Sequence, residues 1–289
     1  MTLNFAILAI GGMNSMVKLC LDSICQMQNV KLFVMTEKEN FREFSLYGKT
    51  NKVNVSLIEP NALDMPTNSL NRFDQNYEIY GTTRFALINT LKWHLIGEVL
   101  RRLEYGNELI FSDFDIIWFQ RPDEIILKSE KTKIFVQSEW QKIDGVKYCT
   151  GIIGMVKTNE TTETINEIAK FHKAKLSFYE GKYFDQQAFN DFFVTVGNES
   201  QVEGLPSDTF VIGAEIPRYL IRSFNRVIAM HANYLRGSSR KVAAMKAISM
   251  SQKMPHFRVI AAIFIKILLI EGRAGVAYER IKKKVFRNV

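Results

Sequence analysis

The stretch from Leu109 to Trp118 constrains this chain more than any other, because it sets two aspartates between apolar runs. Its β-branched and aromatic residues predict a buried strand. Ionised carboxylates are costly to bury unless a cation pairs with them. In an extended segment residues i and i+2 point the same way, so Asp113 and Asp115 are expected to converge on one cation. Their hard oxygen atoms suit magnesium or manganese, which also favour phosphate groups.

The order of predicted elements indicates an α/β fold. Strands are predicted at 2–10, 31–35 and 53–58, and Asn14 or Ser15 caps a helix after the first of them. Alternating strands and helices favour a mainly parallel central sheet with helices on its faces. A long helix is predicted at 83–103, a loop at 61–76, and further strands at 133–136, 151–156, 210–212 and 227–231. Helices are predicted at 160–176 and 184–194.

Charge is unevenly distributed along the 289 residues. Residues 236–289 hold 13 Lys or Arg and 2 Asp or Glu, a formal +11, whereas residues 1–235 carry −3. The apolar segment 259–270 would form a helix about 18 Å long, too short to span a bilayer. Two alternatives stay open: it lies in the interface of an anionic membrane, or it packs on the body beside a solvated charge run. The predicted division is 1–250 for the main domain and 251–289 for a basic amphipathic tail.

The compartment is inferred from two absences in the sequence. Three cysteines form an odd number without metal-ligand spacing, which favours free thiols in a reducing compartment. Residues 1–10 are apolar but lack the basic start of a signal peptide, and no segment is long enough to span a membrane. We therefore expect a cytoplasmic protein that can be peripheral on a membrane.

A second chemical motif follows the predicted strand that ends at His231. The segment runs His-Ala-Asn-Tyr-Leu-Arg-Gly from residue 231 to residue 237. An imidazole is an acceptable ligand for manganese, although a lone histidine after a strand is also a common structural feature. Arg236, Arg240 and Lys241 lie nearby, and such groups match phosphate oxygens. The sequence does not discriminate among these three, and they can instead belong to the basic tail.

Together these motifs resemble the nucleotide-diphospho-sugar transferases. The resemblance rests on the block from Arg84 to Pro122 and on the histidine motif, and it covers roughly residues 3 to 241. It implies a metal-dependent glycosyltransferase of the GT-A (Rossmann-like) fold, related to plant xylosyl- and arabinosyltransferases that retain anomeric configuration. In that family Asp113, Asp115 and His231 would hold Mn²⁺ or Mg²⁺, and Asp113 would also approach the ribose.

The resemblance also implies roles in binding the nucleotide sugar. Gly237 and a basic residue, for which Lys241 is selected, would contact the diphosphate, and Arg84 would approach the phosphates. Thr150 and Gly151 would lie beside the donor sugar, although Cys149 stands where the family often has Asn. Asp185 would bind sugar hydroxyls and Gln186 would lie near the reacting face. As bare sequence, Asp185 is also simply a favourable residue for the start of a helix.

Gly11 and Gly12 end the first predicted strand, where open parallel sheets bind ligands. The base and ribose are therefore expected there. The predicted reaction moves a sugar from a nucleoside diphosphate sugar, a UDP-sugar above all, to a glycan or glycolipid, as in polysaccharide biosynthesis. No nucleic-acid partner is expected.

Two other functions are compatible with parts of this pattern. A phosphatase or phosphotransferase of the haloacid dehalogenase type also places D-x-D after a buried strand. That motif normally lies on the first strand with a late acidic cluster, whereas here it lies beyond residue 110. A non-catalytic sugar-nucleotide-binding module is the second alternative, and the intact aspartate, Asp-Gln and histidine motifs argue against it.

Overall fold

The computed structural model describes residues 2–60, 83–122, 133–143, 146–178, 183–233, 235 and 237–271. Seven of its strands form the central sheet: β1 Leu3–Leu8, β2 Val30–Met35, β3 Asn54–Ile58, β4 Glu108–Ser112, β6 Ile134–Ile143, β7 Val146–Val156 and β8 Val202–Leu205. A smaller sheet contains β5 Ile116–Trp118, β9 Phe210–Ile212 and β10 Ala229–His231. The predicted loop at 61–76 lies outside the described residues.

The helices predicted after the first strand and at 83–103, 160–176, 184–194 and 259–270 are present, whereas Ile216–Arg222 and Ser238–Lys253 were not predicted. In chain order, the helices are α1 Ser15–Ile24, α2 Phe41–Asn51, α3 Thr83–Arg102, α4 Asn159–Phe178, α5 Asp185–Val196, α6 Ile216–Arg222, α7 Ser238–Lys253 and a further helix, α8, at 258–271. The Asn14 side chain caps α1 by accepting hydrogen bonds from the backbone of Met16 and Val17. The α/β class predicted from the strand and helix alternation is confirmed.

Strand order places one edge of the central sheet where a ligand can bind. The order is β3-β2-β1-β4-β7-β6-β8, and β1 pairs in parallel with both β2 and β4. The chain therefore builds outwards from β1 to β3 and then continues on the other side of β1. Open α/β sheets bind ligands outside the carboxyl ends of their strands at such a switch point.

The two aspartates do not lie in one continuous strand, so that part of the prediction is wrong. β4 ends at Ser112, β5 begins at Ile116, and the residues between them form a turn that carries the chain from one sheet to the other. The Asp113 amide donates to the carbonyl of Gly151 over 2.7 Å, and the Ala232 amide donates to the carbonyl of Asp115 over 2.9 Å. The turn, rather than strand alternation, orients the carboxylates.

Two hydrophobic clusters cover the two faces of the central sheet. Along β1, Leu3, Phe5 and Ile7 belong to one cluster, whereas Ala6 and Leu8 belong to the other. The first cluster includes residues of α1, α2, α7 and the small sheet, and the second includes residues of α3, α4 and α5. Burial on both faces explains why the residues of β1 are apolar except for Asn4, whose side-chain amide donates to the carbonyl of Glu108.

Helix α8 is apolar on two opposite sides. Ala261, Ala262, Ile265 and Leu268 are buried in the cluster that also contains α1 and α7. Other residues of the same helix remain between 39% and 58% exposed: Val259, Ile260, Ile263, Phe264, Ile267 and Ile270. No helix in the described ranges is both long enough and apolar enough to cross a membrane. The division into 1–250 and 251–289 stays a prediction.

We predict that Ile265→Ala destabilises the protein by about 2–5 kcal/mol, because it removes a fully buried side chain from the main cluster. Ile263→Ala on the same helix is the matched control, since that side chain is 56% exposed. Its effect should be within about 0.5 kcal/mol. Urea unfolding measures both values. Equal, small effects would contradict the packing of α8 against the body.

Candidate active site

Asp113, Asp115 and His231 come together between the two sheets. One ligand atom from each lies within 4.8 Å of the others, and Asp115 and His231 are buried. β10 pairs antiparallel with β5, with His231 opposite Ile116, which places the imidazole beside Asp115. His231 Nε2 is 3.0 Å from Asp115 Oδ1. Two carboxylates and an imidazole are a donor set that fits Mn²⁺, and the carboxylates also fit Mg²⁺.

Positive charges surround Asp115. Lys241 Nζ lies 2.5 Å from Asp115 Oδ2, while His231 contacts the other oxygen. Burial alone would raise the pKa of Asp115, but the charges of Lys241 and His231 outweigh it and lower that pKa below its usual range. Burial would lower the pKa of His231, but the Asp115 charge raises it to about 10. The protein thus supplies its own cations at this carboxylate.

A buried lysine joins Asp113 to Asp185. Lys92, on α3, has a side chain only 4% exposed, and its Nζ lies 3.4 Å from Asp113 Oδ1. The same Nζ forms an ion pair with Asp185 Oδ2 and donates to the carbonyl of Thr150 over 2.9 Å. Burial would lower the pKa of Lys92, but the two carboxylates raise it, so the ammonium form is favoured.

The sequence analysis did not identify Lys92, although a signal was available. Ile88 precedes it by four residues and Leu95 follows it by three, so the helical period places a lysine on the apolar face of α3. A charged residue on a buried helix face requires a partner.

The carboxyl group of Asp185 is ionised more readily than its burial alone would allow. Burial would raise the pKa of Asp185, but Lys92 and a 2.7 Å hydrogen bond from Thr150 Oγ1 lower it.

Gly151 and Gln137 position the histidine. A Cβ on Gly151 would lie 2.2 Å from His231 Cε1, so only glycine permits this approach. His231 Nδ1 is 2.8 Å from Gln137 Oε1 and 3.8 Å from Cys149 Sγ. With Nε2 facing Asp115, the Gln137 oxygen holds the other ring nitrogen as a donor. Gln137 was also missed from sequence, because nothing in its local pattern indicates a contact 94 residues away.

The glycine pair lies at the predicted edge. Gly11 and Gly12 follow β1 with φ of 90° and 83°, in the left-handed region that favours glycine. The Gly11 amide donates to both oxygens of Glu37, each over 3.0 Å. Glu37 follows β2, and it was not identified from sequence. Gly11 is exposed at this turn whereas Gly12 is buried, and nucleotide binding there stays a prediction.

The remaining predicted residues are placed less completely. Gly237, with φ of 91°, directly precedes α7, whose first turn contains Lys241. Arg240 Nε lies 4.0 Å from Glu271 of α8. Gln186 follows Asp185, the first residue of α5, and its Nε2 is 3.4 Å from Glu139 Oε2. Arg236 and the side chain of Arg84 lie outside the described residues.

We predict that Gly151→Ala lowers the affinity of the proposed site for Mn²⁺ by about 10–100-fold, because the new methyl group displaces His231 from Asp115. Titration calorimetry with Mn²⁺ measures this without a turnover assay. Gly97→Ala in α3 is the control, since its Cβ would have only an ordinary 3.5 Å contact with Asn166. Wild-type affinity in Gly151→Ala would exclude His231 as a ligand.

Solved structures with low sequence identity share this fold. The galactosyltransferase LgtC, solved with donor and acceptor sugar analogues, is 11% identical with a TM-score of 0.57, covering 86% of this chain and 95% of LgtC. Mouse xyloside xylosyltransferase 1 is 10% identical with a TM-score of 0.50, covering 80% of this chain and 97% of that one. The glycosyltransferase GlyE of Streptococcus pneumoniae TIGR4 is 12% identical with a TM-score of 0.52 over 80% of this chain, which spans only 54% of GlyE.

A search of curated proteins by sequence finds no match. The sequence model of the nucleotide-diphospho-sugar transferase family matches residues 49–245, which include both aspartates of the turn, Asp185 and His231. That match spans well over half of the chain. The shared architecture of the solved glycosyltransferases identifies the fold as GT-A. The chain therefore belongs to the nucleotide-diphospho-sugar transferase family and is a glycosyltransferase.

Proposed function

We propose that this protein transfers a sugar from a UDP-sugar to a glycan or glycolipid acceptor, with a divalent metal and with retention of configuration. The observation that carries this proposal is the continuity of the site. Asp115 and His231 form one end, Asp113 and Lys92 the middle, and Asp185 the other end. In a nucleoside diphosphate sugar, the diphosphate requires a cation and the sugar hydroxyls require hydrogen-bond acceptors. The Asp115–His231 end of the site suits the first requirement and the Asp185 end suits the second.

We assign the metal to Asp113, Asp115 and His231, with Mn²⁺ favoured over Mg²⁺ because one ligand is an imidazole. When bound, such an ion supplies Lewis-acid stabilisation of the negative charge on the leaving diphosphate. Lys241 already contacts Asp115, so its ammonium group lies close enough to share in neutralising that charge. Gly237 opens the helix that carries Lys241, and Arg84 is assigned to the phosphates from the resemblance alone.

The sugar is assigned to the surface formed by Thr150, Gly151, Asp185 and Gln186. Lys92 and Thr150 favour the ionised form of Asp185, and a carboxylate accepts hydrogen bonds from hydroxyl groups. Gln186 follows Asp185 on the first turn of α5. We propose attack from the face on which the diphosphate leaves, with the leaving phosphate oxygen taking the proton of the acceptor hydroxyl. The base and ribose are assigned to Gly11, Gly12 and Asp113.

The position of the aspartates in the fold weighs against the phosphatase alternative. They follow the fourth strand in chain order, whereas the dehalogenase-type motif normally lies on the first. Mn²⁺-dependent release of UDP from a UDP-sugar distinguishes the transferase from both alternatives, because a phosphatase would release inorganic phosphate and a binding module would release neither.

We predict that Asp115→Asn lowers UDP release from a UDP-sugar by at least about 100-fold, since it removes a metal ligand and with it several kcal/mol of charge stabilisation. Initial rates with saturating Mn²⁺ measure this, and circular dichroism checks that the variant is folded. Asp208→Asn, at an exposed position, is the control. Normal turnover by Asp115→Asn would refute the metal assignment.

We also propose that α8 places the protein on an anionic membrane surface. One side of the helix is buried in the body, and the other exposes six large apolar residues. Residues 236–289 contribute the formal charge of +11 calculated from sequence. Each Lys or Arg near an anionic leaflet contributes about 1 kcal/mol, and apolar insertion adds to this. Packing on the body and contact with a membrane are therefore compatible, because they use opposite sides of the helix.

We predict that the double variant Ile260→Glu and Ile267→Glu binds vesicles containing phosphatidylserine at least about tenfold more weakly than wild type, because both side chains are on the exposed side. Vesicle co-sedimentation measures this, and raising the salt concentration should weaken wild-type binding too. Val196→Glu, an exposed position on α5, is the control. Unchanged binding of the double variant would exclude this side of α8 as the membrane contact.

A further inference from the structure

Glu139, on β6, carries a buried oxygen without a hydrogen-bond partner in the described part of the chain. That atom is Oε1. The other oxygen, Oε2, has only a long 3.4 Å contact with Gln186 Nε2. Buried polar atoms in folded proteins are nearly always satisfied, so an exception indicates a function or a missing ligand.

The position of Glu139 relates it to the reaction. Gln137, two residues earlier on the same strand, bonds His231 Nδ1. The regular pairing of β6 with β7 breaks after Ser138, so strand alternation does not orient Glu139. Two other observations place Glu139: its contact with Gln186, which follows Asp185 on the first turn of α5, and its electrostatic interaction with His231. Glu139 therefore lies between the histidine of the proposed metal site and the residues assigned to the sugar.

Glu139 differs in its electrostatic surroundings from the other carboxylates of the site, Asp113, Asp115 and Asp185. Burial raises the pKa of Glu139, and the charge of His231 and the Gln186 contact offset this only in part. The other three acids each have a cation in contact: Lys92 for Asp113 and Asp185, and Lys241 with His231 for Asp115. No ion pair of Glu139 occurs within the described ranges. Its open oxygen is suited to accepting a hydrogen bond from a neutral donor.

We propose that Glu139 accepts a hydrogen bond from a sugar hydroxyl at the reacting face and thereby contributes to recognition of the sugar. A carboxylate repels the diphosphate, so the group that Glu139 contacts is not one of the phosphates. Hydroxyl groups are the donors that a sugar offers, and they belong either to the donor sugar or to the acceptor. This inference rests on the proposed function and adds a residue that the sequence motifs do not contain.

The test compares Glu139→Gln with wild type in three measurements. Titration calorimetry in the presence of Mn²⁺ gives the affinity for UDP and the affinity for UDP-glucose or UDP-galactose. The ratio of the two affinities gives the contribution of the sugar to binding. Transfer kinetics with a lactoside acceptor give the acceptor KM. Thermal unfolding of the ligand-free protein tests for a structural role. Glu203→Gln, on the neighbouring strand β8 at an exposed ion pair with Lys133, is the matched control.

We expect Glu139→Gln to leave the affinity for UDP unchanged and the unfolding midpoint unchanged or higher, since an unsatisfied buried carboxylate is removed. A fall of about tenfold in the UDP-sugar affinity relative to UDP would identify the donor sugar as the ligand. A comparable rise in acceptor KM alone would identify the acceptor. Three results would overturn the inference. They are an equal loss of UDP and UDP-sugar affinity, a lower unfolding midpoint without any sugar-specific effect, and no change at all. Absence of UDP binding by the wild type would instead contradict the proposed function itself.

Discussion

Burial of carboxylates at the carboxyl edge of the sheet is the constraint on which this site depends. Asp115 and Asp185 are 5% and 8% exposed, and each would cost several kcal/mol if it were left unpaired. The fold meets this cost with Lys241 and His231 at the first aspartate and Lys92 at the second. These cations come from three separate elements, so α3, β10 and α7 must all be correctly placed for the site to exist.

Lys92 has particular importance because it touches both halves of the site. Its ammonium group contacts Asp113 of the proposed metal site and Asp185 of the proposed sugar region, and its bond to the Thr150 carbonyl ties both to β7. A change of charge at one aspartate therefore alters the field at the other through a single group only 4% exposed.

The same structure shows how a glycine can determine a charged site. Gly151 occupies the place where any side chain would collide with the His231 ring, and its carbonyl also accepts the Asp113 amide. Gly151 therefore fixes both the backbone at Asp113 and the position of the His231 ring, two of the proposed metal ligands. Helix α8 has two apolar sides, of which the inner packs on the body, while contact of the outer side with a membrane stays a proposal.

Sequence by itself determined the α/β class, most of the order of elements and the motifs around Asp113, Asp185 and His231, because hydrophobic periodicity and residue chemistry are local properties. The family assignment made from those motifs is confirmed. The turn between β4 and β5 was missed, since a buried apolar run looks the same whether it enters one sheet or two. Only the tertiary structure identified the contacts of Gln137, Glu37 and Glu139, because their partners are mostly distant in sequence and no local pattern encodes them. The helical period does place Lys92 on an apolar face, but only the tertiary structure identified its partners.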